Sequence, residues 1–276
     1  MPADIMDPTT AVAYGPFIQA AEAQYASAPT VVNPATITHM PAGYTLVRTI
    51  QMTDFFGPAQ SRVFYGYVAV GGDPATAVVA LRGTGSKMEW WDDFHWDLVP
   101  FTQVRDGGNV AKGFDDIYDS IGTMAPGQQG SSAPGAVAAE VAQAATSGLA
   151  AGLDPASLPL VVTGHSLGGA LATLLAADLN ATTALRPQAW TFASPKVGDA
   201  VFAARYAGVA TVSWRIYNQA DIIPYLPLDV FDNYQPVTTG YAINSQGKAE
   251  WTLGRAHSLN TYLHVLSPAT VPLDPA

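Results

Sequence analysis

A serine between two glycines forms the centre of the most informative stretch of this 276-residue chain. Gly164, Ser166 and Gly168 make the pattern Gly-x-Ser-x-Gly, which apolar runs precede at Leu158–Val162 and follow at Ala170–Leu179. Such a serine occupies a sharp strand-to-helix turn, where glycines prevent a Cβ atom from clashing with the neighbouring strand and helix. The pattern therefore predicts a nucleophilic serine at a helix N-terminus, where backbone N–H groups favour developing negative charge.

A serine hydroxyl needs an imidazole to accept its proton and a carboxylate to orient that imidazole. The expected chain order after such a turn is serine, then acid, then histidine, and only His257 and His264 follow Ser166. His257 lies in a polar, loop-like stretch before a predicted helix, whereas His264 lies inside that helix. We therefore favour His257 as the base and keep His264 as the alternative. His165 lies within the turn and is expected to point away from the hydroxyl.

Three aspartates are candidates for the acid. Asp221 comes just after a predicted strand, Thr211–Tyr217, and a carboxylate there lies at the sheet edge where α/β sites form. Asp229 and Asp232 are the alternatives, and each of the three also fits an ordinary loop aspartate. Spacing alone leaves the choice open, with Asp221 favoured.

The elements that must position these residues alternate between strand and helix along most of the chain. Strands are predicted at Tyr44–Met52, Arg62–Val70, Thr76–Leu81, Leu158–Val162, Gln188–Phe192 and Thr211–Tyr217, and a hairpin at Gln235–Gln246. Helices are predicted at Ala11–Tyr25, Gly113–Ile121, Ala136–Leu149, Ser166–Leu179, Asp199–Tyr206 and Leu259–Leu266. This alternation predicts an α/β fold with parallel strands and right-handed crossovers, which we expect to form one domain over residues 1–276.

The composition is that of a globular chain with a large core and an acidic surface. Hydrophobic residues make up 49% of the sequence and charged residues 12%, which argues against disorder. A net charge of −10 argues against nucleic-acid binding and against attraction to anionic membranes by charge alone. Because the chain has no cysteine, disulfides, thiolate metal sites and cysteine nucleophiles are excluded.

No segment of the sequence is predicted to cross a membrane. The N-terminal residues show no basic region followed by an apolar one, so we expect no signal peptide. A cytoplasmic protein and a secreted mature form both stay open. Pro155–Ala177 and Ala133–Leu153 carry few charges, but their glycines, prolines and alanines fit a buried strand-turn-helix and a packed helix better than a membrane span.

Several further motifs occur in a fixed order between about residue 79 and residue 263. They are Val79–Thr84, Trp90 with Asp93, Lys112–Phe114, Gly164–Leu171, Phe192–Asp199, Asn218–Pro227, and His257–Leu259 with Tyr262. With these motifs the chain resembles the class 3, fungal-type triacylglycerol lipases of the α/β-hydrolase superfamily. The resemblance implies the α/β-hydrolase fold, with a mostly parallel central sheet flanked by helices and a short helical lid.

The resemblance also implies roles for individual residues. Ser166 corresponds to the nucleophile, Asp221 to the acid and His257 to the base. Thr84, through its backbone N–H and its hydroxyl, and Leu167, through its backbone N–H, correspond to the oxyanion hole. Many family members carry serine at the position of Thr84, and the extra methyl group is expected to preserve the function.

A tryptophan-rich segment, residues 86–98, lies where the family has its lid. Met88, Trp90, Trp91 and Phe94 are predicted to form the lid and to contact the substrate. We expect an amphipathic flap over an apolar acyl pocket that opens at lipid surfaces. An ordinary helix that buries its tryptophans in the core is the alternative.

These observations together predict a serine carboxylic-ester hydrolase, with a lipase that cleaves acylglycerol esters through an acyl-enzyme as the favoured function. The alternatives are an esterase for soluble short-chain or feruloyl esters, a phospholipase A1, and a non-catalytic binding module on the same scaffold. We expect no metal or organic cofactor and no nucleic-acid partner. The expected partner is an acyl ester or lipid at a lipid–water interface, and a monomer is favoured although the sequence does not determine the oligomeric state.

Overall fold

The strands and helices were assigned in a computed structural model that describes residues 5–55, 60–84, 94–148, 157–208, 212–228, 233–238, 240–247 and 252–273. The strands are β1 (Tyr44–Thr53), β2 (Arg62–Gly71), β3 (Thr76–Leu81), β4 (Leu98–Pro100), β5 (Asn109–Ala111), β6 (Gly122–Met124), β7 (Leu160–His165), β8 (Gln188–Phe192), β9 (Gly198–Asp199), β10 (Val212–Asn218), β11 (Tyr234–Gln235) and β12 (Tyr241–Ile243). The helices are α1 (Pro8–Ser27), α2 (Lys112–Asp119), α3 (Val137–Gly148), α4 (Leu167–Thr182), α5 (Ala200–Ala207), α6 (Leu253–His257) and α7 (Leu259–Leu266), with a short 3₁₀ turn at Ile223–Tyr225.

A large mixed sheet organises the fold in the order β12-β10-β8-β7-β3-β2-β1-β6. The strands from β12 to β3 run parallel to their neighbours, whereas β2, β1 and β6 extend the sheet in antiparallel fashion. This arrangement confirms the predicted mostly parallel central sheet. A second, smaller sheet has the order β11-β9-β5-β4.

Helices cover both faces of the large sheet, as the apolar character of its central strands requires. Successive residues of β3 alternate between the two faces: Val78 and Ala80 pack with the α1 and α7 side chains, and Val79 and Leu81 pack with those of α2, α3 and α4. In the described part of the chain, no helix combines the length and the apolar character needed to cross a membrane.

Helix α1 begins where the sequence indicates and packs closely on α7. The Asp7 carboxylate accepts hydrogen bonds from the backbone N–H groups of Thr9 and Thr10, at 3.0 and 3.1 Å. Gly15 gives room for Leu263 of α7, because a Cβ atom there would lie 2.4 Å from a Leu263 methyl carbon. This contact anchors α1, and residues later in α1 lie beside the turn that carries Ser166.

The hairpin predicted over Gln235–Gln246 is wrong. Strand β11 pairs antiparallel with β9 in the small sheet, whereas β12 pairs parallel with β10 at the edge of the large sheet. Asn218, the last residue of β10, ties down the chain after β12, because its side-chain oxygen accepts a hydrogen bond from the backbone N–H of Ser245 at 3.1 Å. Pairing with distant strands therefore replaces the local pairing that the hairpin prediction required.

Most of the predicted lid lies outside the described residues. Residues 85–93, with Met88, Trp90 and Trp91, lie outside the described part of the chain. The lid over residues 86–98 stays a prediction, as does the single domain over residues 1–276.

The last part of the predicted lid, residues 94–98, is extended rather than helical. Phe94 is buried, His95 is exposed and Trp96 is half-buried, which is the alternation of an extended chain. The His95 carbonyl accepts a hydrogen bond from the N–H of Gly113 at 2.9 Å, which aligns this segment with the start of α2. The predicted helix therefore does not continue through residues 94–98, and Phe94 packs in the core with its ring 4.6 Å from that of Trp96.

Candidate active site

The turn between β7 and α4 holds Ser166 in a strained conformation. Its φ of 56° lies in the left-handed region, and its N–H donates to the Phe192 carbonyl of β8 at 2.9 Å. A Cβ atom at Gly164 would lie 2.2 Å from the Gly168 carbonyl oxygen, and one at Gly168 would lie 2.4 Å from the Arg82 carbonyl oxygen. Only glycine fits at these two positions, which agrees with the role predicted for them.

Three side chains from separate elements form one hydrogen-bond chain. The Ser166 Oγ lies 2.8 Å from Nε2 of His257, the last residue of α6. The Nδ1 of His257 lies 2.7 Å from Oδ2 of Asp221, in the loop after β10. The Asp221 side chain is buried, whereas 18% of the His257 side chain is exposed. The structure thus brings together the serine, histidine and aspartate that the sequence analysis selected.

Of the alternatives to these residues, the structure describes His264, which does not join the hydrogen-bond chain. His264 points elsewhere, and its Nδ1 lies 2.7 Å from the carbonyl oxygen of Val271. Asp229 and Asp232 lie outside the described residues. Asp221 is therefore the aspartate that the structure associates with His257.

A buried tyrosine supports the aspartate. The Tyr262 hydroxyl of α7 donates to Oδ2 of Asp221 at 2.7 Å and accepts from the backbone N–H of Asn218 at 3.0 Å. The Ile223 N–H donates to Oδ1 of Asp221 at 3.0 Å. Burial, together with the Asp221 charge, raises the pKa of Tyr262 far above its ordinary value, so the hydroxyl remains a donor. The carboxylate is therefore fixed on both oxygens.

Asn218 connects the aspartate loop to the histidine helix. Its buried amide donates to the Ala256 carbonyl oxygen at 2.9 Å and to Ser245 Oγ at 2.8 Å. Because Ala256 precedes His257, this bond ties the position of α6 to the end of β10. Asn218 and Tyr262 belong to the family motifs, but their roles could not be read from the sequence, since only the fold shows these long-range contacts.

The electrostatic setting suits His257 to act as a base. Burial lowers the pKa of His257, the hydrogen bond to Asp221 raises it, and the neighbouring charge of His165 lowers it further, with a net decrease. The imidazole is therefore neutral near pH 7 and has Nε2 free to accept a proton. Among the described residues, no group of three or more histidines and acids is arranged to hold a metal ion.

The predicted oxyanion-hole residues lie at the same sheet edge as the serine. Strands β3 and β7 are parallel neighbours with Leu81 opposite Gly164, so Thr84, three residues after Leu81, follows β3 at the edge where Ser166 follows β7. Leu167 is the first residue of α4, where backbone N–H groups have no acceptor within the helix. Both predicted donors are thus beside the nucleophile turn.

A buried arginine orients the peptide bond before Thr84. Arg82 donates from Nη1 to the Gly83 carbonyl at 2.7 Å and from Nε to the Phe64 carbonyl at 2.9 Å, and its guanidinium lies 3.5 Å from the Tyr25 ring centre. In a trans peptide the N–H and C=O groups point in opposite directions. The held Gly83 carbonyl therefore turns the Thr84 N–H away from Arg82, and the sequence analysis did not identify this role.

Replacing Tyr262 with phenylalanine is expected to lower kcat for ester hydrolysis about tenfold and stability by about 1–3 kcal/mol. The variant leaves Asp221 with the His257 and Ile223 bonds but removes its buried donor. Tyr206→Phe is the matched control, because Tyr206 is also a buried tyrosine, with its hydroxyl 2.9 Å from Ser213 Oγ. Steady-state kinetics and thermal melting separate the effects, and an unchanged kcat in Tyr262→Phe would contradict the supporting role.

The family-level comparison agrees with this geometry. The model of the family described as Lipase (class 3) matches residues 78–231, more than half of the chain. The chain belongs to the class 3 lipase family. The matched range contains Ser166 and Asp221 of the hydrogen-bond chain, and His257 follows it.

Curated relatives of this class 3 lipase family member include plant phospholipases. It is 32% identical to phospholipase A1-IIgamma of Arabidopsis thaliana, over 72% of this chain and 52% of that protein. It is also 32% identical to phospholipase A1-II 3 of Oryza sativa subsp. japonica, over 73% of this chain and 53% of the relative. The chain thus spans about half the length of the curated relatives that it matches.

Solved lipase structures share the fold. The native Rhizomucor miehei lipase propeptide complex superposes with a TM-score of 0.62 at 22% identity, covering 92% of this chain and 76% of that one. The lipase from Rhizopus microsporus var. chinensis gives a TM-score of 0.62 at 21% identity, covering 86% and 74%. These similarities establish the α/β-hydrolase fold predicted for the chain.

Proposed function

We propose that the protein is a serine carboxylic-ester hydrolase that cleaves acylglycerol esters. The observation that carries this proposal is the hydrogen-bond chain from Ser166 Oγ through His257 to Asp221, with distances of 2.8 and 2.7 Å. Membership of the class 3 lipase family supports it. The complete chain of three groups also disfavours a non-catalytic binding module.

In the proposed reaction, the first step forms an acyl-enzyme. The neutral His257 accepts the Ser166 proton at Nε2 as Oγ attacks the acyl carbonyl carbon, and Asp221 stabilises the imidazolium through Nδ1. The imidazolium then gives its proton to the leaving alcohol oxygen as the ester bond breaks. In the second step, His257 accepts a proton from water as the water oxygen attacks the acyl carbon. The imidazolium then gives this proton to Oγ as the acyl–Oγ bond breaks, which releases the carboxylic acid and restores Ser166.

The backbone N–H groups of Thr84 and Leu167 act as the proposed oxyanion hole in both steps. They stabilise the negative charge on the carbonyl oxygen in the tetrahedral intermediates, and the loss of one such donor typically costs about 10²–10³ in rate. The start of α4 adds the favourable end of the helix dipole. Arg82 contributes indirectly, since it fixes the peptide that presents the Thr84 N–H.

Exposed apolar side chains that neighbour Asp221 and His257 along the chain support an apolar acyl substrate. Ile222, Tyr225 and Leu228 follow Asp221 in the chain, Leu253 begins the helix that ends at His257, and all four are exposed. Exposed apolar side chains concentrated next to a site are typical of lipid-binding surfaces. They favour an acylglycerol over a short soluble ester.

Phospholipase A1 activity is the second candidate, because the curated relatives above carry that name. The same three groups would cleave an acyl ester of a phospholipid. The negative formal charge of −10 offers no general attraction for an anionic head group, which is why acylglycerols are the favoured substrate.

A substrate panel tests the proposal. It comprises p-nitrophenyl esters from acetate to palmitate, a triolein emulsion and phosphatidylcholine vesicles. Release of fatty acid from triolein faster than from phosphatidylcholine supports the acylglycerol hydrolase. Faster phosphatidylcholine cleavage would assign a phospholipase A1, activity on acetate and butyrate alone would assign a soluble-ester hydrolase, and inactivity on all of them would overturn the proposal.

The activity is expected to persist into mildly acidic solution. The base must be neutral to act, and burial holds the pKa of His257 below its ordinary value of 6.5. The acid limb of a plot of kcat/KM against pH therefore has its midpoint below pH 6.5. The profile is measured with a soluble p-nitrophenyl ester, and a midpoint above that value would contradict the expected environment of His257.

A further inference from the structure

A second imidazole lies directly behind the base. The ring of His165 is 4.8 Å from that of His257, measured between ring centroids. The Nε2 of His165 lies 2.7 Å from the backbone carbonyl oxygen of His257, and its Nδ1 lies 3.4 Å from Oε1 of Glu22 on α1. Only 9% of the His165 side chain is exposed. The mechanism proposed above uses neither His165 nor Glu22.

Both ring nitrogens of His165 face acceptors. A carbonyl oxygen and a carboxylate oxygen have no proton to donate, so only the doubly protonated imidazolium satisfies both nitrogens. Burial acts to lower the pKa of His165, but the Glu22 carboxylate, with help from the His257 carbonyl and Asp221, outweighs it and raises the pKa. The two facing acceptors and the raised pKa thus both favour the protonated form of His165.

The geometry points to the Glu22–His165 pair as a positioning device for the proposed base. His165 holds the backbone of His257 through its carbonyl oxygen, and its positive charge beside the ring adds to burial in favouring the neutral His257 imidazole. Glu22 keeps His165 charged. This inference rests on the proposed function, since it assigns His257 the role of base.

The surrounding charges determine the direction of the effect. His165 is faced by Glu22 from α1, His257 from α6, Tyr262 from α7 and Asp221 from the loop after β10. The Glu22 charge also acts on Arg82, just after β3, and on Tyr65 of β2. For His257, the His165 charge lowers the pKa and the more distant Glu22 charge raises it, with the His165 contribution the larger. If Glu22 loses its charge, burial favours the neutral form of His165 against the smaller effects of the His257 carbonyl and Asp221, and we expect a higher His257 pKa.

The variant Glu22→Gln keeps the size of the side chain and removes its charge. We expect the acid limb of kcat/KM to move to higher pH by about half a unit or more, while the plateau falls less than about threefold. His165→Gln should move the limb in the same direction, and the double variant should move it no further than His165→Gln alone. Asp106→Asn is the control, because it removes an equal charge from an exposed side chain in the loop between β4 and β5.

A second readout does not depend on turnover. In ¹⁵N-histidine-labelled protein at neutral pH, both ring nitrogens of His165 should show shifts of the protonated form, and Glu22→Gln should show a neutral ring. The His165→Gln spectrum assigns the signals. A neutral His165 in the unmodified protein, or an acid limb that Glu22→Gln leaves in place, would overturn the inference. If the unmodified protein hydrolysed no ester at all, the proposed function itself would be overturned.

Discussion

Replacing Ser166 with alanine is expected to reduce ester hydrolysis by about 10⁴–10⁶-fold while the fold is kept. The change removes only Oγ, whose partner is Nε2 of His257 at 2.8 Å. Without this nucleophile no acyl-enzyme forms, although the oxyanion hole and the bound substrate still give weak catalysis. The backbone of the turn is unaffected by the missing atom, because the N–H of Ser166 still donates to Phe192.

The measurement is kcat/KM on p-nitrophenyl butyrate, with circular dichroism and thermal melting as tests of folding. Ser147→Ala is the matched control: its Oγ donates to the carbonyl of Ala144 in its own helix, at 3.1 Å, and the side chain is exposed. This control should keep its activity within about twofold of the unmodified protein. If Ser166→Ala kept more than about one hundredth of the original kcat/KM, Ser166 would not be the nucleophile.

The second large effect is expected from Asp221→Asn, with a loss of about 10³–10⁴-fold in kcat. The carboxylate accepts the Nδ1–H of His257 at 2.7 Å and so leaves Nε2 without a proton. An asparagine amide can donate to Nδ1 instead, which favours the tautomer with its proton on Nε2. That tautomer is unable to accept the Ser166 proton, and the imidazolium also loses its counter-charge.

Asp178→Asn provides a close control for this variant. Asp178 on α4 is also buried, and it also accepts a hydrogen bond from a buried tyrosine, Tyr118, at 2.7 Å. Both variants should lose stability, but Asp178→Asn should keep most of its kcat. Equal losses of kcat in the two variants would indicate that Asp221 acts through folding alone.

The nucleophile turn was predictable because its signal is local. The spacing of Gly164, Ser166 and Gly168 reflects contacts within a few residues and with one adjacent strand. The base could be predicted because few histidines follow the serine, whereas Asp221 needed the family resemblance, since two other loop aspartates had similar spacing. The structure then associates Asp221 with His257 directly.

Strand positions were predictable where apolar patterns coincide with pairing. Strands β3 and β8 and helix α7 have the predicted bounds. Strand β7 was predicted at Leu158–Val162 but spans Leu160–His165, because Thr163, Gly164 and His165 pair with β8 although their hydropathy does not signal a strand. Pairing with a distant strand decided this boundary, as it did for the hairpin that did not form.

The supporting contacts of the site could not be predicted from spacing. Tyr262 reaches Asp221 across 41 positions of the chain, and Asn218 reaches Ala256 across 38. Glu22 lies in α1, before the segment that resembles the family, and meets His165 only after α1 packs on the sheet. Such contacts are set by the tertiary fold, so the sequence names the reacting groups more readily than the groups that hold them.

The most direct test of the central claim is covalent labelling with a fluorophosphonate, which reacts with an activated serine and leaves its phosphonyl group on Oγ. The labelled protein is digested and the modified peptide is sequenced by mass spectrometry. We expect one adduct per chain, located on Ser166, that forms in the folded protein and is absent after unfolding and in Ser166→Ala. An adduct on another residue, or equal labelling of Ser166→Ala, would contradict the account.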